Sequence, residues 1–265
     1  FFQAFYKEAI VWRQLDHPNV LPFLGVDLKT FPEWPSLVMP WVEAGSLLDY
    51  ISNIHPTEFS RRPLSPWVSG VLKGLSYLHS NHIVHGDLRG ANVLINDMGL
   101  PCLADFGLAV FVEEAHGAAL STYQGTLRWL APEVLDANTP HREWRRKPSR
   151  DVYAFGSLCL EIISGLHPYS DITSDVAVLL FILEHKRPPR PVLRQSWKGI
   201  VDTYLWGVME RCWDENPANR PTSEALLFLV EPYFKAHALS LEASPIIQGF
   251  PYFFEEMDEE MDEEE

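Results

Sequence analysis

The sequence predicts an α+β fold in two lobes, a small strand-bearing one in front and a mainly helical one behind. Three observations carry this. Strand-length apolar runs come early, at residues 20–26 and 36–42. From Pro132 onward apolar residues recur at helical spacing, punctuated by Pro188, Pro189, Pro191, Pro217 and Pro221. The chain of 265 residues is 46% hydrophobic, enough for a sizeable core.

The elements follow in order. Phe5, Ala9, Trp12 and Leu15 make one face of a helix over 1–15, with Glu8 on that face and Pro18 breaking the chain soon after. The runs at 20–26 and 36–42 read as adjacent strands separated by the proline-bearing stretch 31–35. Gly45-Ser46 opens a helix near 47–53. A longer one over 65–80 turns Leu72, Leu75 and Leu78 inward. Two short strands, Val93-Leu94-Ile95 and Cys102-Leu103-Ala104, flank a polar loop. Residues 109–130 show no period, which in a compact domain marks a functional or disordered stretch. Helices follow at 132–136, 151–164, 173–185, 199–213 and 222–230.

Composition removes several function classes. The longest apolar run, Val176 to Leu183, is too short to span a bilayer. No basic segment precedes the first apolar residues, so no signal peptide is visible. Cys102, Cys159 and Cys212 lie far apart, without zinc spacing, and suit a reducing compartment. The net charge of −15 is concentrated at the end, where residues 255–265 hold nine acids and no base. Nothing basic enough for nucleic acid remains.

The densest chemical signal is His85-Gly86-Asp87-Leu88-Arg89-Gly90-Ala91-Asn92-Val93-Leu94, followed by Asp105-Phe106-Gly107. Asp87 and Asn92 offer a carboxylate and an amide oxygen on one loop, and Asp105 a second carboxylate. A few oxygen ligands with room for water and phosphate suit Mg2+. An acid left unligated can deprotonate a hydroxyl. Ala131-Pro132-Glu133, Asp151-Val152-Tyr153-Ala154-Phe155-Gly156 and Asn216-Pro217-Ala218-Asn219-Arg220-Pro221 complete the set.

In this order and spacing the motifs resemble the eukaryotic protein kinase family over roughly residues 1–232. The resemblance implies a two-lobed kinase-like fold with an incomplete front lobe at 1–41 and a helical back lobe at 42–232. A C-terminal extension, 233–265, ends in an acidic tail that reads as disordered. It implies Asp87 as catalytic base, Arg89 beside the transferred phosphoryl, and Asn92 and Asp105 as Mg2+ ligands. For ATP it implies Glu8 pairing with an ATP-binding lysine, Met39 as gatekeeper, the Pro40 carbonyl and Val42 amide holding adenine, and Leu94 and Ala104 as the floor beneath the base. Trp12, Phe23, His85 and Phe106 match a stacked spine anchored by Asp151, and Glu133 with Arg220 a buried ion pair.

Gly125-Thr126-Leu127-Arg128-Trp129-Leu130-Ala131-Pro132-Glu133 looks like the tyrosine-kinase-like group, which mostly phosphorylates Ser and Thr. The resemblance therefore implies an intracellular, cytoplasmic enzyme that uses ATP and Mg2+ on a protein substrate. Two other classes compete: a pseudokinase serving as a binding module, and a small-molecule phosphotransferase, which Ala131-Pro132-Glu133 and the helix at 173–185 disfavour. Three departures stand out. No glycine-rich loop or strand lysine precedes Glu8, so the chain reads as truncated and weakly active or inactive by itself. Gly86 replaces the arginine that pairs with a phosphorylated activation loop, leaving Arg128 or the basic run 142–147 to receive a phosphate on Ser121, Thr122 or Tyr123. The stretch from Glu133 to Asp151 is longer than usual.

Overall fold

A computed structural model describes residues 9–31, 35–54, 64–106, 125–135, 147–191 and 204–242, with side chains in the last helix described to residue 236. The expectations for Glu8, the acceptors 121–123, the basic run 142–146 and the acidic tail lie outside these residues.

The front carries a two-stranded antiparallel sheet, β1 (Gly25–Asp27) with β2 (Ser36–Val38), in register Gly25↔Val38 and Asp27↔Ser36. The expected strands 20–26 and 36–42 are therefore much shorter. Pro22 and Pro40 lack the N–H that a ladder needs and cut both runs. Residues 19–21 instead join the back lobe. Leu21 N–H donates to Leu103 O at 2.9 Å, and Leu103 N–H donates to Asn19 O at 2.9 Å. The first helix, expected to reach residue 15, is helical at 9–12 and then tightens into i→i−3 bonds, Gln14 to Val11 and Leu15 to Trp12.

Helix α1 (Leu47–Asn53) begins at a capping box, in which Ser46 Oγ accepts from Asp49 N–H and Asp49 Oδ2 accepts from Ser46 N–H, both at 3.2 Å. Helix α2 (Ser65–Ser80) buries Leu72, Leu75 and Leu78 as expected. β3 (Val93–Ile95) and β4 (Pro101–Leu103) pair antiparallel, one residue earlier on the second strand than the sequence suggests. Leu127–Trp129 forms a single 3-10 turn inside the stretch without period. Helix α3 (Pro132–Leu135) follows, then α4 (Ser149–Ser164), which is buried along nearly its whole length and forms the axis of the back lobe.

Helix α5 (Asp175–Leu183) is capped by Ser174 and shorter at both ends than expected. Helix α6 (Trp206–Cys212) is the described part of the segment expected at 199–213. Helix α7 (Ser223–Glu242) runs well past the expected end at 230 and through Pro232. The carbonyl that Pro232 leaves without an N–H partner belongs to Phe228, which is 80% exposed, so water can serve it. The core joins α2, α4, α6 and α7 to the two strand pairs. The three cysteines are free and buried. Cys102 donates to Pro18 O at 3.4 Å, and burial pushes its thiol pKa up, which makes it a packing residue rather than a nucleophile.

Gly74 marks the tightest contact between α2 and the 19–21 segment. A Cβ there would sit 2.5 Å from Asn19 O, a backbone atom that also accepts from Leu103. Gly207, on α6, has nothing within 4 Å of an added Cβ. Gly74→Ala is expected to destabilise the fold by about 1–3 kcal/mol through overpacking. Gly207→Ala is expected to stabilise it by about 0.4–1 kcal/mol. Urea denaturation of both variants checks the contrast in sign.

Candidate active site

The loop from His85 to Asn92 is irregular, so its backbone groups need partners other than a ladder. Asp151, in the first turn of α4, supplies two. Its Oδ2 accepts from His85 N–H and its Oδ1 from Gly86 N–H, each at 2.8 Å. The same carboxylate lies 2.8 Å from His79 Nε2, at the end of α2, whose Nδ1 meets Ser223 Oγ at 3.0 Å on α7. Burial alone would raise this carboxyl, yet the hydrogen bonds and charge of His79 and the Gly86 amide hold it below the usual carboxylate range.

Asp87 follows directly. Asn92 Nδ2 donates to Asp87 Oδ2 at 2.7 Å and to its backbone oxygen at 2.8 Å. Arg89 Nε stands 3.4 Å from the same Oδ2. The Arg89 guanidinium lies over the Trp129 ring at 5.8 Å, and its Nη1 donates to Gly125 O at 3.4 Å. Ala104 N–H donates to Asn92 O at 2.9 Å, which sets Asp105 beside Asn92. Asp105 takes a left-handed backbone, φ 54°, and is exposed, while Phe106 turns inward and is buried.

The residues expected around the nucleotide also converge. Ile95 N–H donates to Gly45 O at 3.0 Å and Ser46 bridges to Leu94, which draws the 39–45 segment onto β3. Met39, Val42 and Leu94 are half-buried against the core, Pro40 is half-buried, and Ala104 is buried. The spine is present as well. Trp12 stacks on Phe23 at 6.0 Å and meets Phe106 at 4.6 Å, and Phe106 meets His85 edge-on at 6.2 Å. Burial lowers the His85 pKa, so its ring is neutral and Nδ1 accepts from Asp87 N–H at 3.3 Å.

The donor set fits Mg2+. Asn92 uses its amide nitrogen on Asp87, which leaves its amide oxygen for a cation, and Asp105 adds an exposed carboxylate. Among the described residues no three His, Cys, Asp or Glu side chains cluster to cage a metal. An ion here would complete its shell with water and phosphate oxygens, as Mg2+ does.

The segment from Gly125 to α3 is pinned from behind. Arg220 grips Glu133 through two bonds, Nη1 to Oε1 at 2.6 Å and Nη2 to Oε2 at 2.9 Å. Arg128 does not wait for a phosphate. It donates to Pro168, Tyr169 and Ile172 carbonyls at 2.7–3.2 Å and to Asp175 Oδ1 at 3.0 Å.

Two residues of the site were not picked out from the sequence. Glu161, on α4, accepts from Gly90 N–H and from Trp129 Nε1, both at 2.8 Å and both through Oε2. It thereby fixes the indole on which Arg89 lies. Its Oε1 is buried without a partner, and burial pushes the carboxyl up to about 7. The signal was a single acid inside the apolar run 158–163. Trp129 is the second, legible only as part of a motif.

A family model described as protein tyrosine and serine/threonine kinase matches residues 2–229. The chain is 29% identical over 231 residues to serine/threonine/tyrosine-protein kinase HT1 of Arabidopsis thaliana, covering 87% of this chain and 55% of that protein. It is 30% identical over 221 residues to serine/threonine-protein kinase STY17 of the same plant, covering 83% and 35%. It is 32% identical over 226 residues to serine/threonine-protein kinase Tao of Drosophila melanogaster, covering 85% and 20%. The chain thus spans about half the length of the first relative and less of the others.

The raised pKa of Glu161 has a consequence for stability. The folded state holds a proton that the unfolded chain releases near 4.5, so stability falls as pH rises from about 4.5 to about 7. The full difference is on the order of 3 kcal/mol. Glu161→Gln removes this contribution. The stability difference between wild type and variant, measured by denaturation from pH 4.5 to 8, is expected to shift against the wild type as pH rises and to level off above 7.

Proposed function

The chain belongs to the protein tyrosine and serine/threonine kinase family, and from that premise we propose that it transfers the γ-phosphoryl of ATP to a hydroxyl of a protein substrate, serine or threonine before tyrosine. The observation that carries this reading is the Asp87 carboxylate, held by Asn92 at 2.7 Å with Arg89 at 3.4 Å, one loop away from Asp105. One hydrogen bond and one ion-pair contact to the same oxygen leave Asp87 Oδ1 to take a substrate proton.

In this mechanism Asp87 accepts the proton of the attacking hydroxyl, whose oxygen bonds to the γ-phosphorus as the bond to the bridging oxygen breaks and ADP leaves. Asn92 and Asp105 would hold Mg2+, which when bound would offset the charge of the phosphates. Arg89, oriented by Trp129, faces the charge that builds on the transferred group. Met39, Leu94 and Ala104 enclose the adenine, and the Pro40 carbonyl and Val42 amide bond its edge. Glu8 is assigned to the lysine that grips the phosphates. The free, buried thiols suit action inside the cell, and no helix among the described residues is long and apolar enough to cross a membrane.

Asp87→Asn is expected to lower phosphorylation of a generic protein substrate by about 100-fold or more while magnesium-ATP affinity stays within about threefold. Asp105→Ala is expected to weaken magnesium-ATP binding itself. A kinase assay paired with nucleotide titration separates the two. Undiminished turnover by the Asp87 variant removes it as the base.

A further inference from the structure

We propose that Arg150 is a positioning residue for the proposed phosphoryl transfer: from the first turn of α4 it holds the peptide that carries Asp87. This goes beyond the assignment of the catalytic loop above and rests on that reading of the site. Arg150 is only 3% exposed, and its Nη2 donates to Gly86 O at 2.9 Å. The carbonyl it holds and the Asp87 N–H belong to one peptide plane. The other end of that plane is held by His85 Nδ1 at 3.3 Å. The preceding peptide is fixed through Gly86 N–H by Asp151, the next residue on α4. Consecutive residues of one helix turn therefore hold the N–H and the C=O of the same glycine.

Gly86 is part of the device. Its φ of 83° lies in the left-handed region, where a Cβ costs roughly 1–2 kcal/mol. That conformation lets the Gly86 N–H meet Asp151 while its carbonyl meets Arg150. A side chain at position 86 would favour a negative φ and rotate the peptide away from the guanidinium. Rotation about the Gly86–Asp87 link swings the Asp87 side chain, because ψ of residue 86 and φ of residue 87 are the hinges on either side of the plane. Misplacement of a catalytic group by about 1 Å can cost on the order of 100-fold in rate.

A small space adjoins this peptide. Gly86, Asp87, Trp129, Leu130, Arg150 and Asp151 line a small cavity of about 10 Å³ between the loop and the segment before α3. Removing the guanidinium enlarges this space and leaves the Gly86 carbonyl facing it. In sequence Arg150 is one more charge beside Asp151. Its burial shows that it points into the loop instead.

The test compares Arg150→Met with Arg150→Lys in the full chain. Met keeps much of the apolar stem and removes the donor; Lys keeps one N–H donor on a stem of similar reach. Arg150→Met is expected to lower kcat about 10-fold or more with KM for ATP within about twofold, and Arg150→Lys to recover the larger part. Unchanged kcat in the Met variant, or a Lys variant no better than Met, overturns the proposal.

A second readout does not need activity. Amide hydrogen exchange, resolved by residue, is expected to accelerate about 10-fold or more at Gly86 and Asp87 in Arg150→Met while α2 and α7 keep their protection. Acceleration spread evenly over those helices, or none at the loop, overturns the proposal. A wild type without phosphoryl transfer bears only on the proposed activity, and the exchange pattern still decides the role of Arg150.

Discussion

A buried, irregular loop must find partners for its backbone N–H and C=O groups, and the rest of this structure is arranged around that requirement. The loop is residues 85–92, and the partner is α4. Asp151 takes the N–H of His85 and Gly86, Arg150 gives to the Gly86 carbonyl, and Glu161 takes the N–H of Gly90. Arg150 and Glu161 are eleven residues apart, three helical turns, so they share a face about 16 Å long. Gly86 and Gly90 are four residues apart and span at most about 14 Å. The loop therefore runs along the helix nearly extended, and Arg89 indeed has φ −159° and ψ 163°. Fixing the loop by its backbone leaves the side chains of Asp87, Arg89 and Asn92 to meet one another.

The same carboxylate that fixes the loop also joins helices. Asp151 reaches His79 on α2, and His79 reaches Ser223 on α7. His85, held by Asp151, supports Phe106, Trp12 and Phe23 in turn. One charge buried at the start of α4 thus connects the 85–92 loop to α2 and α7 and, through the rings, to Phe23 just before β1. A buried charge of this kind is costly unless every lone pair is served. Three hydrogen-bond partners, the His85 and Gly86 amides and the His79 ring, reach its two oxygens here and leave neither unserved.

Much of this was legible in the sequence, and the reasons are local. Element type followed from period for α2, α4, β3 and β4, because each has an apolar face of the right repeat. Boundaries failed where chain-long chemistry overrode the pattern. Pro22 and Pro40 shortened the front strands, and residues 19–21 took β4 as a partner that no local pattern announces. Conversely Pro232 did not stop α7: the carbonyl that loses its N–H partner there belongs to Phe228, an exposed residue. The site residues Asp87, Asn92 and Asp105 were visible because order and spacing carry their chemistry. Arg150 and Glu161 were not, since a charge at a helix start and an acid in an apolar run look alike whether they face solvent or a loop. Arg128 seemed available to a phosphate until its fork was seen to grip residues 168–175.

The glutamate at 161 differs from Asp151 in a way that bears on function. Asp151 is fully served and keeps its charge. Glu161 receives both of its hydrogen bonds on Oε2 and leaves Oε1 buried without a partner. Two donors aimed at one oxygen favour the anion, and burial of the other oxygen opposes it, which is why its pKa lies near neutrality. A proton on Oε1 relieves the burial without disturbing the bonds to Gly90 and Trp129. The indole beneath Arg89 is thus held in either protonation state, and what changes is the negative charge near the guanidinium. Two acids on one helix therefore do separate work: Asp151 fixes where the loop lies, and Glu161 sets the charge beside the Arg89 guanidinium.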